Sequence, residues 1–334
     1  MLVMNKTSEQ WQPTCSLQRL KARAELYAQL RAFFVARHVL EVETPILGRS
    51  TATDPHLESL SCALNSAPGA GSECLYLHTS PEFPMKRLLA AGSGSIFQIC
   101  KTFRNAESGV RHNPEFSMLE WYRPGFDLNA LMQETADLLE TLLGSCEVST
   151  VSYRDLFRKY LDLDPMIVAI DVLRQKAIEL AGYSGPNLER DEYLDLLLSV
   201  CIEPYLGCSE DSKLRPVFVS DYPASQASLA ALKHDEDGLL VAERFELYIN
   251  GLEIANAYHE LTDAKEQRQR FESDNLVRQD MGLNGIPIDE KFLSALESGM
   301  PDCSGIALGL DRLLMIKEGV NSIEDVLSFP LSRV

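Results

Sequence analysis

The dipeptide Asn250-Gly251 stands in the middle of an alternating run, Glu243 to Thr262, ERFELYINGLEIANAYHELT. Asn-Gly accepts the two left-handed residues of a two-residue turn. Apolar alternation on both sides of it therefore predicts a tight hairpin, and with it an antiparallel sheet. Pairing outward from the turn sets Tyr248 opposite Glu253 and Glu246 opposite Ala255. Glu246 and Glu253 then lie on one face, one diagonal apart, and carboxylates roughly 7 Å apart at the backbone can share a divalent cation. In a regular strand Asn256, Tyr258 and Glu260 share a face with one another but not with Glu253. A bulge after Glu253 would bring both sets into one cavity.

A second stretch, Lys101 to Tyr122, KTFRNAESGVRHNPEFSMLEWY, reads as strand, polar loop and strand. Side chains alternate along a strand, so Ile96, Gln98, Cys100, Thr102 and Arg104 fall on one face of the first, and Phe116, Met118, Glu120 and Tyr122 on one face of the second. Arg104 ends its strand beside a loop carrying Arg111 and His112. A guanidinium there suits phosphate oxygens, to which its planar fork donates two hydrogen bonds; the same pattern also fits an ordinary hairpin with a solvated loop. A third stretch, MPDCSGIALGLDRLLMIKEG, predicts a buried strand from Ser304 to Leu308, a close backbone approach at Gly309 and a helix from Leu310 to Glu318 closed by Gly319. Arg312 lies in the first turn of that helix, where the dipole disfavours a cation. An anionic ligand accounts for it better than a structural role does.

The rest of the chain supplies a scaffold. Leu17 to Arg37 has the three- and four-residue spacing of an amphipathic helix and leads into VLEVETPIL, a strand as far as Pro45. Turn residues between Thr51 and Gly71 predict a loop-rich hairpin. After a short strand at Leu75 to His78, Ser80-Pro81-Glu82 reads as a cap, a first-turn proline and a first-turn acid, starting a helix that runs through Leu89. Asp127 to Leu143 forms another amphipathic helix. Residues 144–215 read as a helical insertion, Pro216 to Tyr222 as a buried strand, and Ala264 to Gln279 and Asp289 to Glu297 as helices.

With 334 residues, 45% of them hydrophobic, the chain suffices for one large domain or two ordinary ones. It holds neither an apolar run of membrane-spanning length nor a signal-like N-terminus, and its eight cysteines include no CxxC pair, so reduced thiols in the cytoplasm and no zinc site are expected. A formal net charge of -18 argues against nucleic acid as the main partner.

The helix and strand ending at Pro45, the strand-loop-strand containing FRN…HNPEF (Phe103 to Phe116) and the strand-helix containing G-x-A-x-G-x-D-R (Gly305 to Arg312) resemble motifs 1, 2 and 3 of class II aminoacyl-tRNA synthetases. The lysine-specific branch is nearest. About fifteen polar residues precede the first helix, too few for the anticodon-binding barrel of that branch. EQWQP, LEVETP, TSPE, MLEWYRP, PASQASLA and GMPDCSG resemble a group of stand-alone paralogues that act on elongation factor P. The resemblance implies an α+β fold, an antiparallel sheet flanked by helices. Residues 1–16 would form an N-terminal extension and residues 17–334 the catalytic domain of a cytoplasmic homodimer. It further implies an ATP- and Mg²⁺-dependent ligase that adenylates (R)-β-lysine, or lysine, and passes it to a lysine side chain of elongation factor P, with no stable tRNA or membrane binding. The alternatives are a relative that charges an RNA or another acceptor, and a silent paralogue that binds a partner protein. The second is disfavoured because Arg104, Glu246, Glu253, Glu260 and Arg312 are all present.

Residue by residue, the resemblance makes Arg104 and Arg312 the catalytic arginines. They would hold the α-phosphate in line while diphosphate leaves, where positive charge stabilises the transition state. Asn105, Ala106, Asn113, Glu253, Ile254 and Gly309 fall where the family binds ATP, with Glu246 and Glu253 as Mg²⁺ ligands. Ser80, Pro81 and Glu82 match the contact with the backbone end of the amino acid, and Glu120, Tyr122, Asn256, Tyr258 and Glu260 the end that receives the distal amine. Three positions depart from the family pattern. Ala106 replaces the acid that follows Arg-Asn, Ala257 replaces a glycine, and Ala307 replaces the glycine beside the backbone amine, which predicts a bias toward a β-amino acid.

Overall fold

The structure is a computed structural model and describes residues 11–65, 71–209 and 213–334. Most of the expected N-terminal extension, and the turn residues Pro68 and Gly69, lie outside them. Helix α1 (Leu17–Val35) opens on Ser16, whose hydroxyl accepts a hydrogen bond from the Arg19 N–H, and buries Leu26, Leu30, Phe33 and Phe34. The strand expected as far as Pro45 is only β1 (Leu40–Glu41), followed by β2 (Leu47–Gly48). The proline between them has no N–H to continue a ladder. β3 (Ser61–Asn65) and β4 (Ser72–Leu77) form the expected hairpin, with β2 on the other side of β4. Then come α2 (Glu82–Ala90), the strand-loop-strand of β5 (Ile96–Phe103) and β6 (Glu115–Pro124), and α3 (Leu128–Leu143), capped by the Asp127 carboxylate.

The insertion is not wholly helical. It begins with β7 (Ser149–Ser152), which pairs parallel with β8 (Val217–Pro223). Between them run α4 (Tyr153–Leu161), α5 (Ile170–Ala181) and α6 (Arg190–Leu197). β9 (Leu232–His234), β10 (Leu240–Ile249) and β11 (Leu252–His259) follow, then α7 (Ala264–Asp280), α8 (Glu290–Glu297), β12 (Cys303–Gly309) and α9 (Leu310–Glu318). Among the described residues no helix is long and apolar enough to cross a membrane.

These elements make two compact units. The first comprises the described part of Met1–Glu120 with Ala264–Ser298 and Gly309–Val334. In it β5 lies between β1 and β6, and α2, α7 and α8 pack through Phe83, Phe271 and Phe292, the rings of Phe83 and Phe292 stacked 4.7 Å apart. The second comprises Trp121–Asp263 and Gly299–Leu308. Its strands run in the order β12, β11, β10, β8, β7, with β9 also on β10. The insertion helices close over it through Tyr153, Phe157, Tyr193 and Leu197, packed with Tyr222 and Tyr248. The pairing is mixed rather than purely antiparallel, because β1–β5 in the first unit and β7–β8 in the second are parallel pairs.

Candidate active site

The hairpin turn places Asn250 at φ 51° and Gly251 at φ 67°. A Cβ on Gly251 would stand 3.1 Å from the Pro204 carbonyl oxygen, so a side chain would be crowded there as well as strained by the positive φ. Tyr248 faces Glu253 as the turn dictates, but Leu247 faces Ala255 and Glu246 faces Asn256. Ile254 is the extra residue, a bulge directly after Glu253, and it replaces the Glu246–Ala255 pairing of a regular strand. Arg244, Glu246 and Tyr248 therefore share one face with Glu253, Asn256 and Tyr258. β12 continues that face, with Gly305 opposite Tyr258 and Ala307 opposite Asn256. A Cβ on Gly305 would lie 2.3 Å from the Tyr122 ring and 2.6 Å from a Glu260 carboxylate oxygen, so these two side chains meet directly above the glycine.

A largely buried cation, its side chain 11% exposed, sits on this face. Nη1 of Arg244 donates to the Gln226 carbonyl at 2.8 Å, and Nη2 donates to Glu246 and, at 3.2 Å, to Oδ1 of Asn256. The guanidinium lies 4.4 Å from the centre of the Tyr222 ring. Burial works against its charge, but Tyr258, Glu246, Tyr222 and Tyr248 outweigh burial and raise its pKa. Glu246 also accepts from the hydroxyls of Tyr222 and Tyr248. Burial raises the Glu246 pKa, Arg244 pulls it back, and Glu253 on the same face adds to the rise.

In the first unit Arg104 follows the end of β5, its N–H donating to the Pro114 carbonyl and its guanidinium 5.1 Å from the centre of the Phe116 ring. The Asn105 N–H donates to the Glu58 carbonyl, and Ala106 turns the chain at φ 61°. Nη2 of Arg312 lies 2.6 Å from Nε2 of His112. A guanidinium can only donate, so this nitrogen of His112 is an acceptor and the ring is neutral. Loss of hydration and then Arg312 lower the His112 pKa. The Asn113 amide donates to the Glu115 carbonyl and accepts from the Leu331 N–H, tying the loop to the C-terminal segment beside a cavity of about 430 Å³. At α2, Pro81 rather than Ser80 occupies the cap position. The Ser80 hydroxyl accepts from the Glu82 N–H and donates to the buried Glu120 at 2.7 Å. Burial, followed by Glu120, pushes the neighbouring Cys100 thiol up to about 12, so it is no nucleophile.

Residues 10–333 match the family model described as tRNA synthetases class II (D, K and N). The chain belongs to that synthetase family. It is 48% identical over 325 residues to an elongation factor P–(R)-β-lysine ligase of Pasteurella multocida, covering 97% of this chain and 98% of that protein. Proteins of the same name from Avibacterium paragallinarum and Salmonella paratyphi B are 47% and 46% identical, over 98% and 97% of this chain and 99% and 98% of theirs. This class II synthetase is accordingly an enzyme of the ligase type.

Among the residues expected from sequence, the synthetase gathers Glu246, Glu253, Asn256, Tyr258, Glu260, Tyr122 and Ala307 around one face of the second unit, with Ile254 as the bulge. In the first unit it joins Ser80 to Glu120, carries Pro81 and Glu82 at the start of α2, and sets Gly309 before the helix that bears Arg312. Hard oxygen ligands suit magnesium, and Glu246 with Glu253 fit it. A carboxylate has about four lone-pair positions, and Arg244, Tyr222 and Tyr248 occupy three on Glu246, which leaves one to offer. Sequence reasoning missed Arg244, Tyr222, Lys86 and Asp311. Arg244 carried a readable signal, since it alternates with Glu246 and Tyr248. Lys86, fully buried and 2.6 Å from Glu82, follows it by one helical turn.

Proposed function

We propose that this enzyme condenses (R)-β-lysine with ATP to give the aminoacyl adenylate and diphosphate. It then transfers the acyl group to a lysine side-chain amine of elongation factor P, releasing AMP. The observation that carries the proposal is Tyr122 and Glu260 closing over Gly305, on the face that also presents Glu253 and Asn256. Such a pocket selects a short dicationic amino acid, because buried carboxylates are costly unless a cation joins them.

Each group has a distinct task. Arg104 and Arg312 bind the phosphates and stabilise charge as diphosphate departs. Arg312 then exchanges its His112 partner for phosphate oxygens. Glu246 and Glu253 would hold magnesium, which would draw charge from the phosphates. Glu120 with Ser80, and Glu260 with Tyr122 and Tyr258, take ammonium groups, and Glu82 adds a carboxylate at the backbone end. The enzyme works as a homodimer in which the exposed Leu40 and Leu47 become covered. A translation factor as acceptor places the reaction in the cytoplasm.

Two measurements test the proposal. ATP–diphosphate exchange should depend on (R)-β-lysine and, more weakly, on lysine. Mass spectrometry of elongation factor P after incubation should show one added β-lysyl group. Exchange without a mass shift would leave an adenylating enzyme with a different acceptor, and absence of exchange would overturn the proposal.

A further inference from the structure

The Asn256 side chain has a defined orientation. Its oxygen faces Arg244, which can only donate, and its nitrogen donates to the Tyr258 hydroxyl at 3.0 Å. One amide hydrogen is thus committed to Tyr258 and the second remains to be given. An amide turned this way offers the substrate a donor, which serves a carboxylate or acyl oxygen and repels an ammonium group. The resemblance implies the distal amine for Asn256; an amide turned this way favours the acyl end instead.

Arg244 is itself held from outside the hairpin. The Gln226 carbonyl that receives its Nη1 belongs to a short turn, Ala224–Gln226, hydrogen-bonded by two consecutive residues to one face of α6. The Ser225 hydroxyl donates to Asp191 at 2.9 Å, and the Gln226 amide donates to Asp195, four residues further along the helix, at 2.8 Å. One guanidinium thus joins the insertion helix, Glu246 and Asn256. A lysine would have to reach from one nitrogen the acceptors that Arg244 meets from two, and it lacks the planar fork that fixes their directions.

We infer that Arg244 is a positioning residue for substrate choice: anchored by α6 through the Gln226 carbonyl, it turns the Asn256 amide so that its free N–H meets the acyl oxygen of the amino acid. The insertion is then part of the recognition apparatus. This inference rests on the proposed function for the identity of the amino acid.

The test compares two ligands. One is (R)-β-lysine. The other is 1,4-diaminopentane, which keeps both amines and lacks the carboxylate. Each is titrated calorimetrically onto the full chain, onto Arg244→Lys and onto the double variant Asp191→Ala/Asp195→Ala, with thermal midpoints confirming that each is folded. Arg244→Lys should weaken β-lysine at least tenfold and leave the diamine within twofold. The double variant, altered only where α6 meets the Ala224–Gln226 turn, should weaken β-lysine two- to threefold and the diamine not at all. Equal weakening of both ligands would indicate general collapse of the pocket and overturn the inference, as would unchanged β-lysine affinity in Arg244→Lys. Unchanged affinity in the double variant alone would overturn the role of α6. Exchange activity of the parent chain judges the proposed function separately. A parent that binds neither ligand and shows no exchange would overturn both.

Discussion

At Ala106 a methyl-bearing residue holds a left-handed conformation where the family pattern has an acid. Neither an alanine nor an acid is favoured at φ 61°, which costs an L-residue about 1–2 kcal/mol, so the chain adopts this turn for the sake of the loop rather than of the residue. Ala106→Gly should raise unfolding free energy by about 1 kcal/mol in urea titration; a loss of stability would show that the methyl packs usefully. Ala307 raises a question of specificity. It stands opposite Asn256, so its methyl occupies room beside the amide assigned to the acyl oxygen. Ala307→Gly should shift adenylation from β-lysine toward α-lysine by about tenfold, on the scale of 1.4 kcal/mol, and an unchanged preference in exchange kinetics would exclude the methyl as a determinant. His112 answers to pH. Its pKa is lowered in the folded chain, so the folded state holds fewer protons on this ring than the unfolded state does. Its contribution to stability is complete above the ordinary imidazole value of about 6.5 and is lost as pH falls through the lower folded value. Urea midpoints measured from pH 7.5 down to 5 should therefore fall less steeply in His112→Gln than in the parent, and parallel slopes would refute the assignment.

Among the elements, α9 is set in place by a charge rather than by its own sequence. Asp311 is 2% exposed and accepts from the Arg23 guanidinium of α1 and from the Ser117 N–H of β6. The residue that follows it is Arg312, proposed above to bind phosphate. Arg23→Ala would leave a buried carboxylate with one partner fewer, and loss of such a pair costs about 3 kcal/mol. The variant should unfold at lower urea concentration and bind ATP more weakly, and an unchanged urea midpoint would place the pair among those of little worth. The hairpin, β5, β6 and the long helices were legible because alternation, Asn-Gly and capping residues act locally. The bulge could be read only as a condition. Whether Ile254 is skipped depends on the neighbouring strands, on which Ala257 packs fully buried and Asn256 meets Ala307. β7 was missed for the same reason, since four residues of mixed polarity become a strand only when β8 lies beside them. The role of Arg244 was hidden because its partner, the Gln226 carbonyl, carries no side-chain signature.

For the molecule as a whole the acceptor is decided by charge as much as by shape. A surplus of 18 negative charges repels the phosphates of a folded RNA, and favourable binding to such a polyanion normally requires several lysines or arginines to displace its counterions. The arginines described above are already committed: in the second unit Arg244 lies within a shell of Glu246 and tyrosines, and in the first Arg23 is paired with Asp311, while Arg104 and Arg312 are proposed to bind a triphosphate. None is left to form an RNA track among them. A protein acceptor needs no such track, since one lysine amine has only to reach the adenylate. In a mobility-shift titration at about 0.15 M salt, where the Debye length is about 8 Å, bulk tRNA should form no complex. Radiolabelled lysine should become acid-precipitable with elongation factor P and not with tRNA. Retention of tRNA, or charging of it at a rate comparable with the protein acceptor, would reverse the choice and return the chain to the tRNA-charging side of its family.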